Sequence, residues 1–517
     1  MRTITKSKIF CFAGLLAGAA VCCAQFGRGD ASWATPGADA QRSGWVRSDP
    51  KISVEGVQKP EFRFLWKMKL ADRAGKTTAL TPAVLLTKYI GYRGFRDLAL
   101  VESNSDSVYG VDTDLGRMEW NVHIGQPASG NCPAGLSAGL ARPIQTAIPA
   151  PPGASGPGRG EPAHSAVGQP GEGAVTLRTA AAITPRPAAP PAATVPAAPV
   201  PAPPVPARRR MTPITIYVLD GQGKVHSLYV SNGLDDEPPV QLVPPNSAAR
   251  GFIVANQVAY AAAAACSDGA GSIHALDLES KKLLTWDAGS PLAGAAGPAF
   301  GPDGTLYAAT EGGNLVALDA ATLKVKDTFN AKQPFITSPI VFNYQQKVLV
   351  AAVTKDGSIQ LLDTASLGGE DNSTPLLKSP PDANLSPGSL ASFQDRAGKR
   401  WILAPVKDAI AAWQIHDENG QLTLVPAWKA DGIAAPSAPI IINGVVFAAS
   451  NSASNSQSQA PATIYALDGA SGRKLWNSGS VITASAHHGS LSGGGSQIYL
   501  GADDGTLWVF GSWIERQ

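Results

Sequence analysis

The sequence predicts an all-β chain, a closed β-propeller of about eight four-stranded blades. Three observations carry that expectation. A hairpin reading apolar–Ala–Leu–Asp, then a turn, then Trp, recurs along the chain. Its copies sit one blade apart: Asp277, Asp319 and Asp363 are spaced by 42 and 44 residues, the length of a four-stranded blade. The composition is turn-rich, with 54 Gly and 42 Pro among 517 residues and only 16 % charged.

The first copy surrounds Asp112 in DSVYGVDTDLGRMEW and closes on Trp120. The next runs from Gly271 through Asp277 to Trp286. The copy around Asp319 places Phe329 near the aromatic position, and Asp363 sits in GSIQLLDTASLG. Asp468 belongs to ATIYALDGASGRKLW, which ends at Trp476. Most units open with a small or polar residue before proline: Thr81-Pro82, Arg142-Pro143, Gly297-Pro298, Ser338-Pro339 and Ala438-Pro439. An alternating strand follows, such as Thr305–Thr310, whose period of two marks a half-buried strand. The Asp falls at the turn, where its carboxylate can accept backbone N–H groups. Gly116 and Gly472 can take the positive φ of the tip. The closing Trp then lies on the outer strand with a large apolar face and one N–H donor.

Two units are degenerate. Ile214–Gly233 keeps two strands and a Gly turn without the Asp–Trp pair. Arg400–Ile415 has an unusual middle, with Trp428 where an outer-strand Trp belongs. The last unit, Ile498–Gly511, stops before an outer strand, whereas Phe62–Leu70, around Trp66, is an outer strand without inner ones. The two halves complete each other, so the N-terminal strand is expected to close the ring and remove its exposed edges.

Residues 1–24 read as an export signal. Arg2, Lys6 and Lys8 precede the apolar run Ile9–Val21, and Cys22-Cys23-Ala24 provides a small-residue cleavage site. A lipid anchor on Cys22 or Cys23 fits less well, because Val21 is branched where a small residue belongs. The run is too short for a spanning helix, and nothing later is a transmembrane segment. The expected location is periplasmic or extracellular. Residues 25–148 would hold the N-terminal strand, the first blade and the start of the second. Residues 149–212 form a Pro/Ala/Gly-rich insertion that cannot sustain strand ladders, and 213–517 the remaining blades. After cleavage only Cys132 and Cys266 remain. They either pair in a disulfide or stay as two buried thiols. A net charge of +2 offers no electrostatic case for nucleic acid.

The units Ile273–Trp286 and Ile464–Trp476 resemble the pyrroloquinoline-quinone-type propeller repeat, ALD-x-x-[ST]-G-x-x-x-W. The resemblance spans nearly the whole chain apart from the insertion. It implies one of two kinds of protein, since fold does not fix function. Quinoprotein dehydrogenases bind the quinone and Ca²⁺ near the ring axis, beneath a vicinal Cys-Cys disulfide. Non-catalytic members, such as the propeller lipoprotein of the outer-membrane assembly machinery, present loops to protein partners. The only vicinal pair here, Cys22-Cys23, falls in the export signal, and no C-x-x-C-H haem site occurs. The expectation is therefore a non-catalytic binding or scaffold module with no cofactor. The alternative is a quinone- and calcium-dependent dehydrogenase with a divergent site.

The local candidates read as structural. His487-His488 are adjacent, and on a strand they would point to opposite faces. Pro302-Asp303-Gly304 and Asp503-Asp504-Gly505 carry the ordinary Asp-Gly hairpin signal and no 12-residue calcium loop. No nucleophile or metal ligand is assigned.

Overall fold

The computed structural model describes residues 33–70, 80–91, 94–125, 139–147, 214–245, 247–265, 269–451 and 460–512. The export signal, Cys132, Cys266 and the whole insertion lie outside the described residues. The chain divides into two units, Met1–Pro149 with Ile214–Gln517, and Ala150–Pro213. The first unit is the propeller.

Eight antiparallel sheets follow one another around the ring, each a blade with its first strand innermost. Blade 1 comprises Val84–Gly91, Gly94–Ser103, Ser107–Asp112 and Arg117–His123. Blade 2 begins with Gly139–Ala141 and resumes at Thr215–Leu219. Blades 3 to 7 begin at Ser247–Ala255, Ala299–Phe300, Ile340–Tyr344, Ala391–Gln394 and Ile440–Ile442. Blade 8 contains Ala486–Gly494, Gln497–Ala502 and Thr506–Gly511, and its outer strand is the N-terminal Arg63–Lys69. That strand pairs antiparallel with Thr506–Gly511, Trp66 opposite Val509 and Lys67 opposite Trp508. The ring is closed by the two ends of the chain, and among the described residues no helix is long and apolar enough to cross a membrane.

Two details depart from the sequence reading. The strand Thr305–Ala309 is buried along its whole length, as is Arg400–Val406, so neither is half-buried. Both faces of an inner strand meet a neighbouring blade, which favours continuous apolar runs. Alternation belongs to the outer strands, as in Leu283–Asp287. Second, Arg142-Pro143 follows the inner strand of blade 2 instead of opening it. The chain there runs on between the axis and blade 3, with Ile144 donating its N–H to Val254 O.

The repeat's Asp holds the hairpin between the third and fourth strands. Asp112 Oδ1 accepts the N–H groups of Asp114 and Leu115 at 3.1 and 3.0 Å. Asp277 takes Ser280 N at 2.6 Å, Asp319 takes Thr322 N at 2.9 Å, Asp363 takes Ala365 N at 3.0 Å and Asp468 takes Ala470 N at 2.9 Å. The bonds from Ser280 and Thr322 hold the carboxyls of Asp277 and Asp319 below the usual range.

The aromatic residues join one blade to the next. Three Trp Nε1–H groups donate to the carbonyl just beyond the third strand of the following blade. Trp66 reaches Thr113 at 3.2 Å, Trp120 reaches Val230 at 2.8 Å and Trp428 reaches Gly469 at 3.0 Å. The indole lies on the tip of the same hairpin. A Cβ on Gly472, whose φ is 71°, would come within 2.5 Å of the Trp428 ring, so only glycine fits there. Trp286 packs beside Leu318 and Leu323 of blade 4. Trp476 meets Phe62 and Phe510 edge-on, at 5.0 and 5.7 Å between ring centroids.

Candidate functional site at the axial funnel

The centre of the ring is filled by the chain itself. Residues Trp33–Asp49 bond to the innermost strands of the blades, taken in order. Trp33 O accepts Leu85 N of blade 1, Ala34 O accepts Arg142 N beside blade 2, and Thr35 Oγ1 donates to Phe252 O of blade 3. Ala40, Gln41, Ser43 and Gly44 then accept the N–H groups of Phe300, Val341, Ser392 and Ile441 in blades 4 to 7. Trp45–Val46 adds a short parallel strand to blade 7. Asp49 reaches blade 8, where its carboxylate accepts Ser496 N at 2.8 Å. In five blades the donor is the second residue of the inner strand. These N–H groups point at the axis and would otherwise be buried without a partner.

Arg42 is the hub of this plug. It is fully buried, and its guanidinium donates to Pro298 O at 3.0 Å, Thr35 Oγ1 at 3.0 Å, Pro36 O at 2.5 Å and Gly251 O at 2.5 Å. Burial lowers its pKa to about 9, and Asp39 opposes that fall. Asp39 in turn is raised by burial, although Ser43 donates to it through both N and Oγ.

One of Arg42's acceptors, Pro298 O, belongs to the wall of a cavity of about 250 Å³ between blades 3 and 4, and another, Gly251 O, directly follows Arg250 of the facing wall. The cavity lies at the end of the ring where the inner strands begin. Gly251 and Gly297, both at positive φ, bring the walls together: a Cβ on Gly251 would stand 2.5 Å from Gly297 Cα. The inner strand of blade 3 bulges between Arg250 and Ile253. Ala262 to Ala264 form one face and Ala308 with Ala309 another, closed by proline and leucine. Among the described residues that line it two are charged, the half-buried Arg250 and the exposed Glu311. Arg250 Nη1 makes one long hydrogen bond, 3.4 Å to Gly294 O.

A second concentration of polar groups lies in the seam between blades 1 and 2. Glu102 is fully buried and neither carboxyl oxygen makes a hydrogen bond. Burial, with Asp106 nearby, raises its pKa well above the ordinary range. Asp106 Oδ1 accepts Gly221 N across the seam at 2.9 Å, and burial pushes its carboxyl up to about 6. His226 lies between Asp220 at 3.3 Å and Asp235 at 3.1 Å. Burial works against its charged form, but the two carboxylates outweigh it and raise the imidazole.

The residues singled out in the sequence are spread around the ring. Asp112, Asp277, Asp319, Asp363 and Asp468 each sit in the hairpin of a different blade, and Trp120, Trp286, Trp428 and Trp476 each lie at a different blade junction. His487 and His488 occur in the inner strand of blade 8, where the register slips between Ala486 and Leu491. His487 Nδ1 stands 3.1 Å from Asp503 Oδ1, and Ser485 Oγ donates to Asp503 at 2.6 Å. Burial alone would raise the Asp503 carboxyl, and these two bonds instead hold it below its usual range. Thus Asp503 ties down the inner strand, while Asp504 makes the turn through Thr506 N. The plug was not visible as a functional element in the sequence. Its signal is the density of Trp33, Gly37, Gly44 and Trp45 in a stretch with no strand periodicity.

Residues 269–510 match the family described as outer membrane protein assembly factor BamB. The match covers the C-terminal half of the propeller, and the chain as a whole shares the fold of the pyrroloquinoline-quinone-type propellers. Solved structures with this fold include a europium-containing methanol dehydrogenase, 10 % identical, with a TM-score of 0.55 over 93 % of this chain and 98 % of that one. The quinohemoprotein alcohol dehydrogenase from Comamonas testosteroni is 12 % identical, with a TM-score of 0.53 over 94 % and 81 %. BamB from Moraxella catarrhalis is 12 % identical, with a TM-score of 0.49 over 88 % and 99 %. At these identities the likeness is one of fold. No curated protein sequence matches the chain.

The repeat's resemblance to quinone-binding propellers raises the question of a quinone with calcium at the axis. Calcium takes six to eight oxygen ligands, several of them carboxylates. Among the described residues no three His, Cys, Asp or Glu side chains converge on a point that could hold a metal. Among the described residues the funnel wall supplies one carboxylate, Glu311, amid alanine, glycine and proline. That donor set does not fit the ion.

Proposed function

We propose that this chain is a non-catalytic binding module of the cell envelope, a scaffold that engages a protein partner at the rim of the axial funnel. The observation that carries this reading is the funnel wall. Where a calcium-dependent dehydrogenase needs converging carboxylates, blades 3 and 4 present an apolar cavity, one wall of which, at Pro298, is bonded to Arg42. Concave apolar surfaces with few polar groups are binding sites first. The matching family is named for an assembly factor, which accords with a scaffold role. The export signal expected at residues 1–24 accords with an envelope location.

The discriminating experiment is equilibrium dialysis of the purified protein against pyrroloquinoline quinone with calcium, followed by dye-linked oxidation of short alcohols. The scaffold reading expects no retained quinone and no dye reduction above the protein-free rate. Stoichiometric retention with calcium-dependent dye reduction overturns it.

A further inference from the structure

The cavity between blades 3 and 4 has a chemistry more specific than an apolar docking surface. Its two charged side chains, Arg250 and Glu311, have opposite signs, and neither has an ion-pair partner among the described residues. They do not pair with each other, so their charged groups stand more than 4.0 Å apart. The rest of the described lining is alanine methyls, glycine, Leu292 and proline rings. Arg250 spends one N–H on the long bond to Gly294 O, and among the described residues its other guanidinium donors have no hydrogen-bond partner.

We propose that this cavity is a binding site for a zwitterionic, apolar α-amino acid. The carboxylate would be taken by Arg250, whose planar donors match it in pairs. The ammonium would face Glu311, and the aliphatic side chain would occupy the alanine-lined space. The size is suitable: an apolar cavity of about 150 Å³ accepts a benzene ring, and this one is about 250 Å³. Alanines on both walls matter because every larger side chain there would fill the space. The bulge after Arg250 and the close contact of Gly251 with Gly297 set the walls at this separation. The inference deepens the reading of the funnel as a binding surface and rests on it only to that extent.

Isothermal titration of the full chain tests it with three probes: L-leucine, N-acetyl-L-leucine, which lacks the ammonium, and L-leucinamide, which lacks the carboxylate. Leucine is expected to saturate one site and to bind at least tenfold more tightly than either analogue. Arg250→Gln should remove that preference, as should Glu311→Gln, while Arg250→Lys should keep part of it. Ala264→Leu should abolish binding by filling the cavity. Thermal melts within 2 °C of the parent establish that each variant folds. No saturable leucine heat at millimolar concentration overturns the proposal. So does N-acetyl-leucine binding as tightly as leucine, or an unchanged affinity in both charge variants. The quinone assay reads the broader function separately: retained quinone refutes the scaffold, whereas silent leucine refutes only this ligand.

Discussion

Replacing Arg42 with methionine puts the axial plug to a quantitative test. Methionine keeps much of the apolar stem and removes the guanidinium with its four hydrogen bonds. At about 2 kcal/mol for each bond to a charged donor, the gross loss is about 8 kcal/mol. Removing a buried cation relieves a desolvation penalty of several kcal/mol, which offsets about half of that. A net loss of about 4 kcal/mol remains, because Pro298 O, Gly251 O and Pro36 O lose their donor. With roughly 2.1 cal/mol/K per residue over about 400 ordered residues, the melting temperature should fall by about 5 °C. Differential scanning calorimetry measures the fall. Hydrogen exchange should rise first at Leu85, Phe300, Val341, Ser392 and Ile441, whose N–H groups bond to the plug. A variant that melts at or above the parent temperature would refute the reasoning. Desolvation would then outweigh the bonds, and Arg42 would not be holding the cavity walls.

The seam between blades 1 and 2 predicts a pH dependence. Asp106 is raised from 3.8 to about 6 in the folded state, so its contribution is fully present below pH 4 and is lost as pH rises through 6. Asp106→Asn should therefore match the parent near pH 4 and exceed it in melting temperature by pH 8. Parallel melts at both pH values check this, and a constant difference between them would contradict it. At the closure, Trp66→Ala removes the bond to Thr113 O and the contact with Gly116. Since Trp66 is only half-buried, a loss of about 2–3 kcal/mol is expected in chemical denaturation, below the range for a fully buried Trp. An unchanged midpoint would mean that the ring does not rely on this junction.

The blades were legible because each is written locally. Asp277, its turn and Trp286 lie within ten residues, and the same pattern returns at Asp319 and Asp468. The closing strand was legible for a related reason, since Trp66 and Trp508 each mark half of a blade. The plug was not, because its partners are distant in sequence and mostly backbone: Gln41 bonds to Val341, and Ser43 to Ser392, through main-chain groups common to every residue. The cavity was hidden likewise. Ala262, Ala309 and Gly297 are unremarkable residues whose meaning comes from the space between two blades. Glu102 and Asp106 read as ordinary charges in the sequence, and only burial gives them unusual protonation.

The thread through the axis also imposes an order of events on folding. Its bonds span sequence separations as large as 447 residues, from Asp49 to Ser496. Contacts that distant form late, because the intervening chain must be ordered before they yield any gain. The segment that precedes all eight inner strands in the sequence is thus among the last to reach its place, when all eight exist to receive it. Until then the half-made ring has an open outer edge at blade 8 and a row of unbonded amides along its centre, both able to recruit other strands. Insertion of one short segment ends both hazards, which makes Trp33–Lys69 the kinetic lock of the molecule.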